Sequence, residues 1–376
     1  MTTVEPFTLA VPDADLDDLR ARLGRVRWPR AETVADWSQG APLHYVQELA
    51  GYWASGYDWR AFEARLNGIG QFTTEIDGAR IHFLHARSPH PGAVPLLLTH
   101  GWPGSIREYV DLVEQLTDPA DPADAFDVVI PSLPGFGFSP QPADGGWNVQ
   151  RIADAWAVLM DRLGYPRYGA HGSDWGAVIT ARLGAVDADH VLGVHMTIPL
   201  VDLAAQPDPD RGLSAFEQAG AERAADFAAN GMGYLTQQAT RPQTLGYGLA
   251  DSPVAQLAWI AEKFYAWTDC QGDPAKAVPR DALLDNVMLY WLPDAGASSA
   301  RIYWESFQGM PDDTVNVPSA CSIFPKEHVR VPRADAEPKL TDIRQWREHS
   351  VGGHFSGLEQ PETLITDLRD FFRGLR

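Results

Sequence analysis

The sequence predicts an α/β fold with a mostly parallel sheet, helices on both faces of the sheet, an inserted, mainly helical cap and an N-terminal helical extension. Over residues 89–200, short apolar runs alternate with amphipathic segments, which is typical of right-handed βαβ units. This alternation stops over residues 201–310, which we assign to the cap, and resumes over residues 311–376, the C-terminal part of the core. Residues 1–88 are rich in aromatic side chains, and their apolar residues recur at helical spacing. We therefore assign them to an N-terminal segment that wraps the core.

Within the N-terminal segment, Leu16, Leu19 and Leu23 lie at helical spacing and predict a first helix. Asp77-Gly78 separates two strand-like runs, which is a strong signal for a two-residue hairpin turn. The other elements that we predict here are helices over residues 42–53 and 59–66 and hairpin strands over residues 73–76 and 80–85.

The apolar runs of the core have the length of buried strands, and the segments between them have helical periodicity. Ile152, Trp156 and Leu159, for example, share one face of a predicted helix that ends near Gly164. We predict core strands over residues 95–99, 127–130, 166–171, 191–198, 320–324 and 351–355, and a last amphipathic helix over residues 364–372.

The composition restricts the class of partner. The 376 residues include 30 basic and 50 acidic side chains, which gives a formal net charge of −20 at pH 7. Such a chain is a poor partner for nucleic acid or an anionic membrane surface, so we expect a small-molecule substrate. Cys270 and Cys321 form neither a disulfide framework nor a metal-ligand spacing, which favours a reducing compartment. With no signal-peptide pattern and no apolar run of membrane-spanning length, we expect a cytoplasmic protein without a membrane anchor, as a monomer or a homodimer.

The segment Gly172-Ser173-Asp174-Trp175-Gly176 is the most informative in the chain. Its glycines fit a strained strand-to-helix turn that raises one side chain above a parallel sheet. The raised residue is Asp174, because a raised Ser173 would put His171 and Trp175 where the turn needs small residues. An aspartate can attack an electrophilic carbon and form an alkyl ester, so the turn predicts the opening of epoxides or the displacement of halide. The alternative is an ordinary turn of Asp and Gly.

A histidine and a carboxylate downstream are candidates for the rest of a catalytic triad. His354 lies in a glycine-rich loop before the last helix, where this architecture places its general base. Glu327 follows a predicted strand and is a candidate to orient the His354 ring. The alternatives are a surface histidine in a glycine turn and an exposed loop glutamate. The residues alone leave three other candidates for the acid: Asp335, Glu337 and Asp342.

Two further sets of groups suit this chemistry. The turn at residues 100–105 follows an apolar run, and the backbone N–H groups of Trp102 and Trp175 are candidates for an oxyanion hole. The alternative is a plain Gly-Pro turn. Tyr234 and Tyr303 lie in the predicted cap, and a phenol can donate a hydrogen bond or a proton to the oxygen of an opening epoxide. The alternative is that both tyrosines are structural aromatic residues.

Laid together, these residues resemble the microsomal-type epoxide hydrolase family, and the sequence is identified as a soluble bacterial member of this family, with the α/β-hydrolase fold. The resemblance covers nearly the whole chain. It is carried by Arg27-Trp28-Pro29, Tyr57-Asp58-Trp59-Arg60, His100-Gly101-Trp102-Pro103-Gly104-Ser105, Leu133-Pro134-Gly135-Phe136-Gly137-Phe138-Ser139, Gly172-Ser173-Asp174-Trp175-Gly176, Asp251-Ser252-Pro253, Glu262-Lys263-Phe264 with Trp267, Phe324-Pro325-Lys326-Glu327 and Gly352-Gly353-His354-Phe355.

The resemblance implies a role for each candidate residue. Asp174 matches the nucleophile, His354 the base that activates water, and Glu327 the acid partner of that base. Tyr234 and Tyr303 match the cap tyrosines that hold and protonate the epoxide oxygen. The implied reaction needs neither a metal nor an organic cofactor. The mammalian microsomal members begin with a membrane anchor, and we do not carry membrane association over to this chain.

We therefore expect an epoxide hydrolase that converts an epoxide and water to a vicinal diol through an ester on Asp174. A pocket flanked by Trp102, Trp175 and Phe355 suits a hydrophobic or aryl epoxide, either a xenobiotic or an intermediate of secondary metabolism. The nearest rival is a haloalkane or haloacid dehalogenase, which uses the same kind of nucleophile but needs Trp or Asn donors for halide in place of paired phenols. A third hypothesis is that the chain is a binding protein without catalytic activity.

Overall fold

The computed structural model of the chain describes residues 3–199 and 212–376. The strands in these ranges are β1 (Glu5–Phe7), β2 (Gln71–Ile76), β3 (Ala79–Ala86), β4 (Val94–Thr99), β5 (Phe126–Pro131), β6 (Tyr168–Gly172), β7 (Val191–Met196), β8 (Ser319–Ile323) and β9 (Ile343–Glu348). They form one sheet in the order β1-β2-β3-β5-β4-β6-β7-β8-β9.

The sheet is parallel from β5 through β4, β6, β7 and β8 to β9, and the pairs β1–β2, β2–β3 and β3–β5 are antiparallel. The central strands are covered on both faces, and Leu96, Leu97 and Leu98 of β4 are fully buried. The strand order reverses between β4 and β6, so the loops at their carboxyl ends diverge and leave a crevice. The predicted α/β fold is confirmed.

The helices flank the sheet or form a separate layer above it. In the N-terminal segment they are α1 (Asp13–Leu23), α2 (Leu43–Ser55) and α3 (Trp59–Ile69). The helices that follow β4, β5 and β6 are α4 (Arg107–Val110), α5 (Val113–Thr117), α6 (Val149–Arg162) and α7 (Trp175–Val186), with a 3₁₀ turn at Pro122–Asp124. After β8 come α15 (Arg333–Ala336), α16 (Ser356–Glu359) and α17 (Pro361–Arg373).

The predicted cap is helical throughout its described part. It contains α8 (Ala215–Asp226), a π-helical turn (Phe227–Gly231), α9 (Gly233–Thr240), α10 (Pro242–Asp251), α11 (Pro253–Trp267), α12 (Pro274–Ala277), α13 (Arg280–Trp291) and α14 (Ala295–Ser306). The beginning of the predicted cap, residues 201–211, lies outside the described residues.

The N-terminal segment contacts both the sheet and the cap. Its hairpin turns at Asp77 (φ 49°) and Gly78 (φ 77°), the two positive φ values of a type I′ turn, and β3 joins the hairpin to β5. On the cap side, the Tyr57 hydroxyl donates to Asp285 Oδ1 over 2.7 Å, and the Trp37 ring stacks on Tyr265 with centroids 4.1 Å apart. The segment therefore braces the cap against the core.

One predicted strand is wrong. Residues 351–355 form a loop, with Gly352 at a φ of 100°, and the last strand is β9. Strand β9 has the sequence Ile-Arg-Gln-Trp-Arg-Glu, which lacks an apolar run because an edge strand is only half-covered. In the described parts of the chain, no helix is long and apolar enough to cross a membrane. Cys270 and Cys321 are buried free thiols.

Candidate active site

Asp174 lies at the turn between β6 and α7, in a conformation that few side chains adopt. Its φ of 51° and ψ of −125° place it outside the ordinary regions, which is a sign of stored strain. The neighbouring glycines are required sterically: a Cβ on Gly172 would collide with the Gly176 carbonyl, and a Cβ on Gly176 would collide with the Thr99 carbonyl. The structure thus places Asp174, not Ser173, at the strained position of the turn.

Ser173 points away from Asp174 into a buried polar cluster. Its hydroxyl donates to Glu108 Oε2 over 3.1 Å and lies 3.1 Å from the Tyr109 hydroxyl. Burial raises the pKa of Glu108 to about 8, although His354 and Ser173 favour its charged form. Sequence analysis did not select Glu108, because a lone glutamate in an amphipathic segment reads as an exposed residue.

The loop after β4 supplies a backbone donor to Asp174. The Trp102 N–H donates to Asp174 Oδ1 over 2.8 Å. A Cβ on Gly101 would collide with the Asp174 carboxylate, so a glycine is needed where the two loops meet. Burial raises the pKa of Asp174, and the nearby His354 and the N–H groups of Trp102 and Trp175 oppose this rise. One oxygen of Asp174 is thus held by an N–H donor of the oxyanion-hole type.

The other carboxylate oxygen faces His354. Its Oδ2 lies 3.6 Å from His354 Nε2. On the far side of the ring, His354 Nδ1 lies 2.9 Å from both oxygens of Glu327, which accept its proton. All three side chains are buried. The arrangement Asp174–His354–Glu327 therefore joins residues from the loops after β6, β9 and β8.

The other acids that the sequence left open lie elsewhere. Glu337 pairs with Arg333 and Asp342 pairs with Arg344, each over 2.9 Å. Asp335 lies in the short helix α15. The structure places Glu327 against His354, as the family resemblance implied, although the residue types alone left four carboxylates open.

The charges around His354 set its protonation state. Burial opposes a charge on the ring, but the carboxylate of Glu327, followed by those of Asp174 and Glu108, raises the pKa of His354 to about 9. The pKa of Glu327 is lowered in spite of its burial, because His354 and His328 favour its charged form. These carboxylates therefore favour the imidazolium form of His354 when no ligand is bound.

His328, which sequence analysis did not select, adds a second imidazole to this cluster. Its Nδ1 lies 2.7 Å from Glu327 Oε1, and its ring stacks on Trp267 with centroids 4.5 Å apart. Burial lowers the pKa of His328, against the effect of Glu327. Glu327, His328 and His354 offer ligand atoms within 4.8 Å of one another, but His354 already uses both Glu327 oxygens. In the sequence, the one signal for His328 is that it directly follows Glu327.

The cap places both candidate tyrosines above the two indoles that flank Asp174. Tyr234, in α9, stacks on Trp102 with centroids 5.0 Å apart and an interplanar angle of 10°. Tyr303, in α14, meets Trp175 edge-on at 4.8 Å, and the two phenol rings lie 5.9 Å apart. Burial raises the pKa of each phenol well above its usual value. The structure brings the two cap residues together over the turn.

The predicted pocket residues differ in their positions. Trp102 and Trp175 contact the tyrosines, whereas Phe355 is fully buried, stacks on Phe264 at 4.1 Å and meets His354 edge-on at 4.9 Å. Phe355 therefore lies directly against the His354 ring. Trp267 contacts Tyr234 at 5.3 Å and His354 at 5.0 Å, and so links the cap to the histidine.

Two family models match the chain. Residues 4–109 match the family described as the epoxide hydrolase N terminus, and residues 94–242 match the alpha/beta hydrolase fold. Together they cover the N-terminal segment, the first part of the core and the beginning of the cap.

Relatives that match nearly the whole chain are also named as epoxide hydrolases. A protein of Stigmatella aurantiaca (strain DW4/3-1), named provisionally as an epoxide hydrolase, is 50% identical over 99% of this chain and 86% of its own length. Epoxide hydrolase 1 of Oryctolagus cuniculus is 31% identical over 98% of this chain and 88% of its own length.

Solved structures show the same architecture. The Aspergillus niger epoxide hydrolase matches with a TM-score of 0.89 and 34% identity, over 100% of this chain and 97% of that chain. The juvenile hormone epoxide hydrolase of Bombyx mori matches with a TM-score of 0.92 and 28% identity, over 100% and 95% of the respective chains. The chain therefore belongs to the epoxide hydrolase family of α/β-hydrolase-fold enzymes, as its sequence predicted.

Proposed function

We propose that this epoxide hydrolase converts its substrate to a vicinal diol through a covalent hydroxyalkyl ester on Asp174. One observation carries the proposal: the two oxygens of Asp174 have different surroundings. Oδ1 accepts the Trp102 N–H over 2.8 Å, while Oδ2 lies 3.6 Å from His354 Nε2. We assign Oδ2 as the attacking oxygen and Oδ1 as the oxygen that becomes the oxyanion.

In the first step, the epoxide oxygen lies against Tyr234 and Tyr303, and Asp174 Oδ2 attacks one ring carbon. The carbon–oxygen bond of the ring breaks, and a phenol gives its proton to the alkoxide that forms. Proximity of both tyrosines to the turn supports this step, because their rings contact the indoles on either side of Asp174.

In the second step, water attacks the ester carbonyl. Ester formation removes the negative charge of Asp174, which is one of the charges that raise the pKa of His354. The pKa of His354 therefore falls once the ester has formed, and the ring releases a proton that restores the tyrosine. Neutral His354, oriented by Glu327, then takes a proton from water, and the N–H groups of Trp102 and Trp175 stabilise the oxyanion. The tetrahedral intermediate then collapses: the bond between the Asp174 carboxyl carbon and Oδ2 breaks, and the leaving diol oxygen takes the proton of the newly added hydroxyl group. Asp174 is again a carboxylate and His354 is protonated, so the sum is epoxide plus water giving diol.

The aromatic surroundings support a hydrophobic or aryl epoxide as substrate, from a xenobiotic or from secondary metabolism. Trp102, Trp175 and Trp267 surround the tyrosines, and such walls bind apolar groups and exclude stray water. The steps use only groups of this chain, so we expect full activity after treatment with a metal chelator. The rival reaction, dehalogenation, has no need for a phenol that gives up a proton.

The test is a single turnover with excess enzyme and styrene oxide in ¹⁸O-labelled water. We expect unlabelled diol and label in the peptide that contains Asp174, because water attacks the ester carbonyl and Oδ2 leaves with the product. Diol that carries the label from the first turnover would show direct attack of water on the epoxide and would contradict the ester mechanism.

A further inference from the structure

The two cap tyrosines differ in one feature, a buried cation beside only one of them. Lys263, in α11, has a side chain that is 5% exposed, and its Nζ lies 4.6 Å from the centroid of the Tyr234 ring. The same Nζ lies 5.7 Å from the ring of Trp259 and 5.8 Å from that of Trp267. Its carboxylate partner is the more exposed Glu262. The ammonium group thus faces three aromatic rings, one of which is a candidate proton donor.

The aromatic rings that contact Tyr303 carry no charge. Its ring meets the rings of Trp102 and Trp175 edge-on, at 5.9 Å and 4.8 Å, and contacts Phe307. Over residues 3–199 and 212–376, cations lie above the rings of Tyr234 and of several other aromatic residues, but none lies above Tyr303. The two phenols are therefore not equivalent.

The hydrogen bond between the two phenols has the same direction of effect. Burial is the main reason why the pKa of each phenol is raised, but the Tyr303 hydroxyl lowers the pKa of Tyr234, whereas Tyr234 raises that of Tyr303. Asp174 raises the pKa of both phenols. The two phenols therefore affect each other's pKa in opposite directions.

A cation over a phenol ring interacts more strongly when the phenol loses its proton. Over a neutral ring, the ammonium interacts with the ring quadrupole; over a phenolate, it also interacts with a full negative charge in a site that excludes water. An interaction that strengthens in the transition state lowers the barrier, whereas one that is equal in both states does not.

We propose that Tyr234 is the cap tyrosine that gives its proton to the epoxide oxygen, that Lys263 stabilises the resulting phenolate, and that Tyr303 holds the same oxygen by a hydrogen bond and keeps its proton. This rests on the proposed ester mechanism. As the ring carbon–oxygen bond breaks, the O–H bond of Tyr234 breaks and an O–H bond forms on the substrate. The proton that His354 later releases restores Tyr234. Lys263 acts through Tyr234 and is a positioning residue.

The experiment is a double-mutant cycle with styrene oxide, in which rapid quenching gives separate rate constants for ester formation and ester hydrolysis. We expect K263M to slow ester formation about 10- to 100-fold and to leave ester hydrolysis unchanged. In the Y234F background, K263M should have no further effect on ester formation; in the Y303F background, it should keep its full effect. K263R, which keeps the charge, should restore most of the rate.

The matched control is K276M, which removes an exposed lysine from the cap helix α12 and should change neither rate constant. If K263M fails to fold, as judged by circular dichroism, K263Q enters the same cycle, because its amide can still donate to Glu262. An equal effect of the Lys263 variant in the Y234F and wild-type backgrounds, or no effect on ester formation, would overturn the proposal. Absence of any ester in the wild-type enzyme would instead overturn the ester mechanism itself.

Discussion

Asp174, Glu327 and His354 lie in loops that directly follow strands of the sheet, whereas Tyr234 and Tyr303 lie within helices of the cap. We call Asp174, Glu327 and His354 the core half of the site. Main-chain geometry fixes much of this half: a strained turn presents Asp174, and a backbone N–H holds its Oδ1. Tyr234 and Tyr303 form the cap half of the site, and contacts between aromatic rings hold their side chains in position. This difference teaches that the backbone sets the position of the proposed nucleophile, while the positions of the proposed donors to the epoxide oxygen depend on side-chain packing.

One backbone hydrogen bond links the two halves. The His354 N–H donates to the carbonyl of Trp267, at the end of cap helix α11, over 2.9 Å. The same helix carries Lys263 beside Tyr234. A single helix of the cap therefore contacts both the residue proposed to activate water and the proposed proton donor.

The largest expected effect lies in the core half. D174A removes the proposed nucleophile, so we expect turnover of styrene oxide to fall by at least about 10⁴-fold, since the alanine side chain cannot form the ester. The control is S173A, next in sequence but turned away from the site, which should keep its activity within about tenfold. Steady-state diol formation measures both. A large loss in S173A with activity in D174A would reverse the assignment of the turn.

A change in pH dependence should separate Glu327 from the other carboxylates. Hydrolysis of the ester needs neutral His354, so its rate rises as pH rises through the pKa of that ring. Glu327 raises this pKa, so E327Q should move the rising limb to lower pH and also lower the plateau by about 10²- to 10³-fold. Single-turnover decay of the ester, measured across the neutral range, tests this.

The exposed rival E337Q serves as the control for E327Q. Glu337 pairs with Arg333 on the surface, so its replacement should leave the profile of ester decay unchanged. An unshifted limb in E327Q would show that Glu327 does not set the charge of His354.

In the cap half, a smaller and more selective effect is expected. Y303F removes one donor to the epoxide oxygen, so ester formation should slow about 10- to 100-fold while ester hydrolysis stays unchanged. Rapid-quench analysis with styrene oxide gives both rate constants. Because halide does not need a phenol, any activity on a haloalkane should be hardly affected. Equal loss on both substrates would mean that Tyr303 shapes the pocket instead of holding the oxygen.

The smallest effect concerns the N-terminal brace. Y57F removes the partly buried hydrogen bond to Asp285 and should lower the free energy of unfolding by about 1 kcal/mol. Y52F removes an exposed hydrogen bond to Asp281 and should cost about 0–0.5 kcal/mol. Denaturant unfolding measures both. Neither variant should change the rate of ester formation, and a large change in that rate would show that the brace also positions the cap tyrosines.

Several features were predictable because they depend on residues that are close together in the sequence. The hairpin at Asp77-Gly78 and the strained turn at Asp174 each need small or permissive residues at fixed offsets, and the sequence displays them. The strand β9 was not predictable, because an edge strand that is only half-buried has no apolar run. The strand predicted over residues 351–355 was wrong for a different reason: these residues form a loop, in which Phe355 is buried although Val351 is exposed.

Residue types could not identify the partner of His354, since four candidate carboxylates lie close together between residues 327 and 342. The structure decides in favour of Glu327, because β8 ends next to β9 and brings the two loops within hydrogen-bonding distance. The same applies to Lys263, which in the sequence is one charged residue next to another, and which only the packing of α11 against α9 places over the Tyr234 ring.

By itself, the sequence determined the fold class, the family, and the turn that presents Asp174, since these depend on local periodicity and on glycines at fixed spacing. Tertiary structure alone decided how these candidate groups are arranged around that turn: Trp102 N–H on one oxygen, His354 on the other, Glu327 behind the ring, and the cap tyrosines above. The physical reason is that protonation and charge depend on burial and on neighbours distant in sequence, and only the folded chain brings these together.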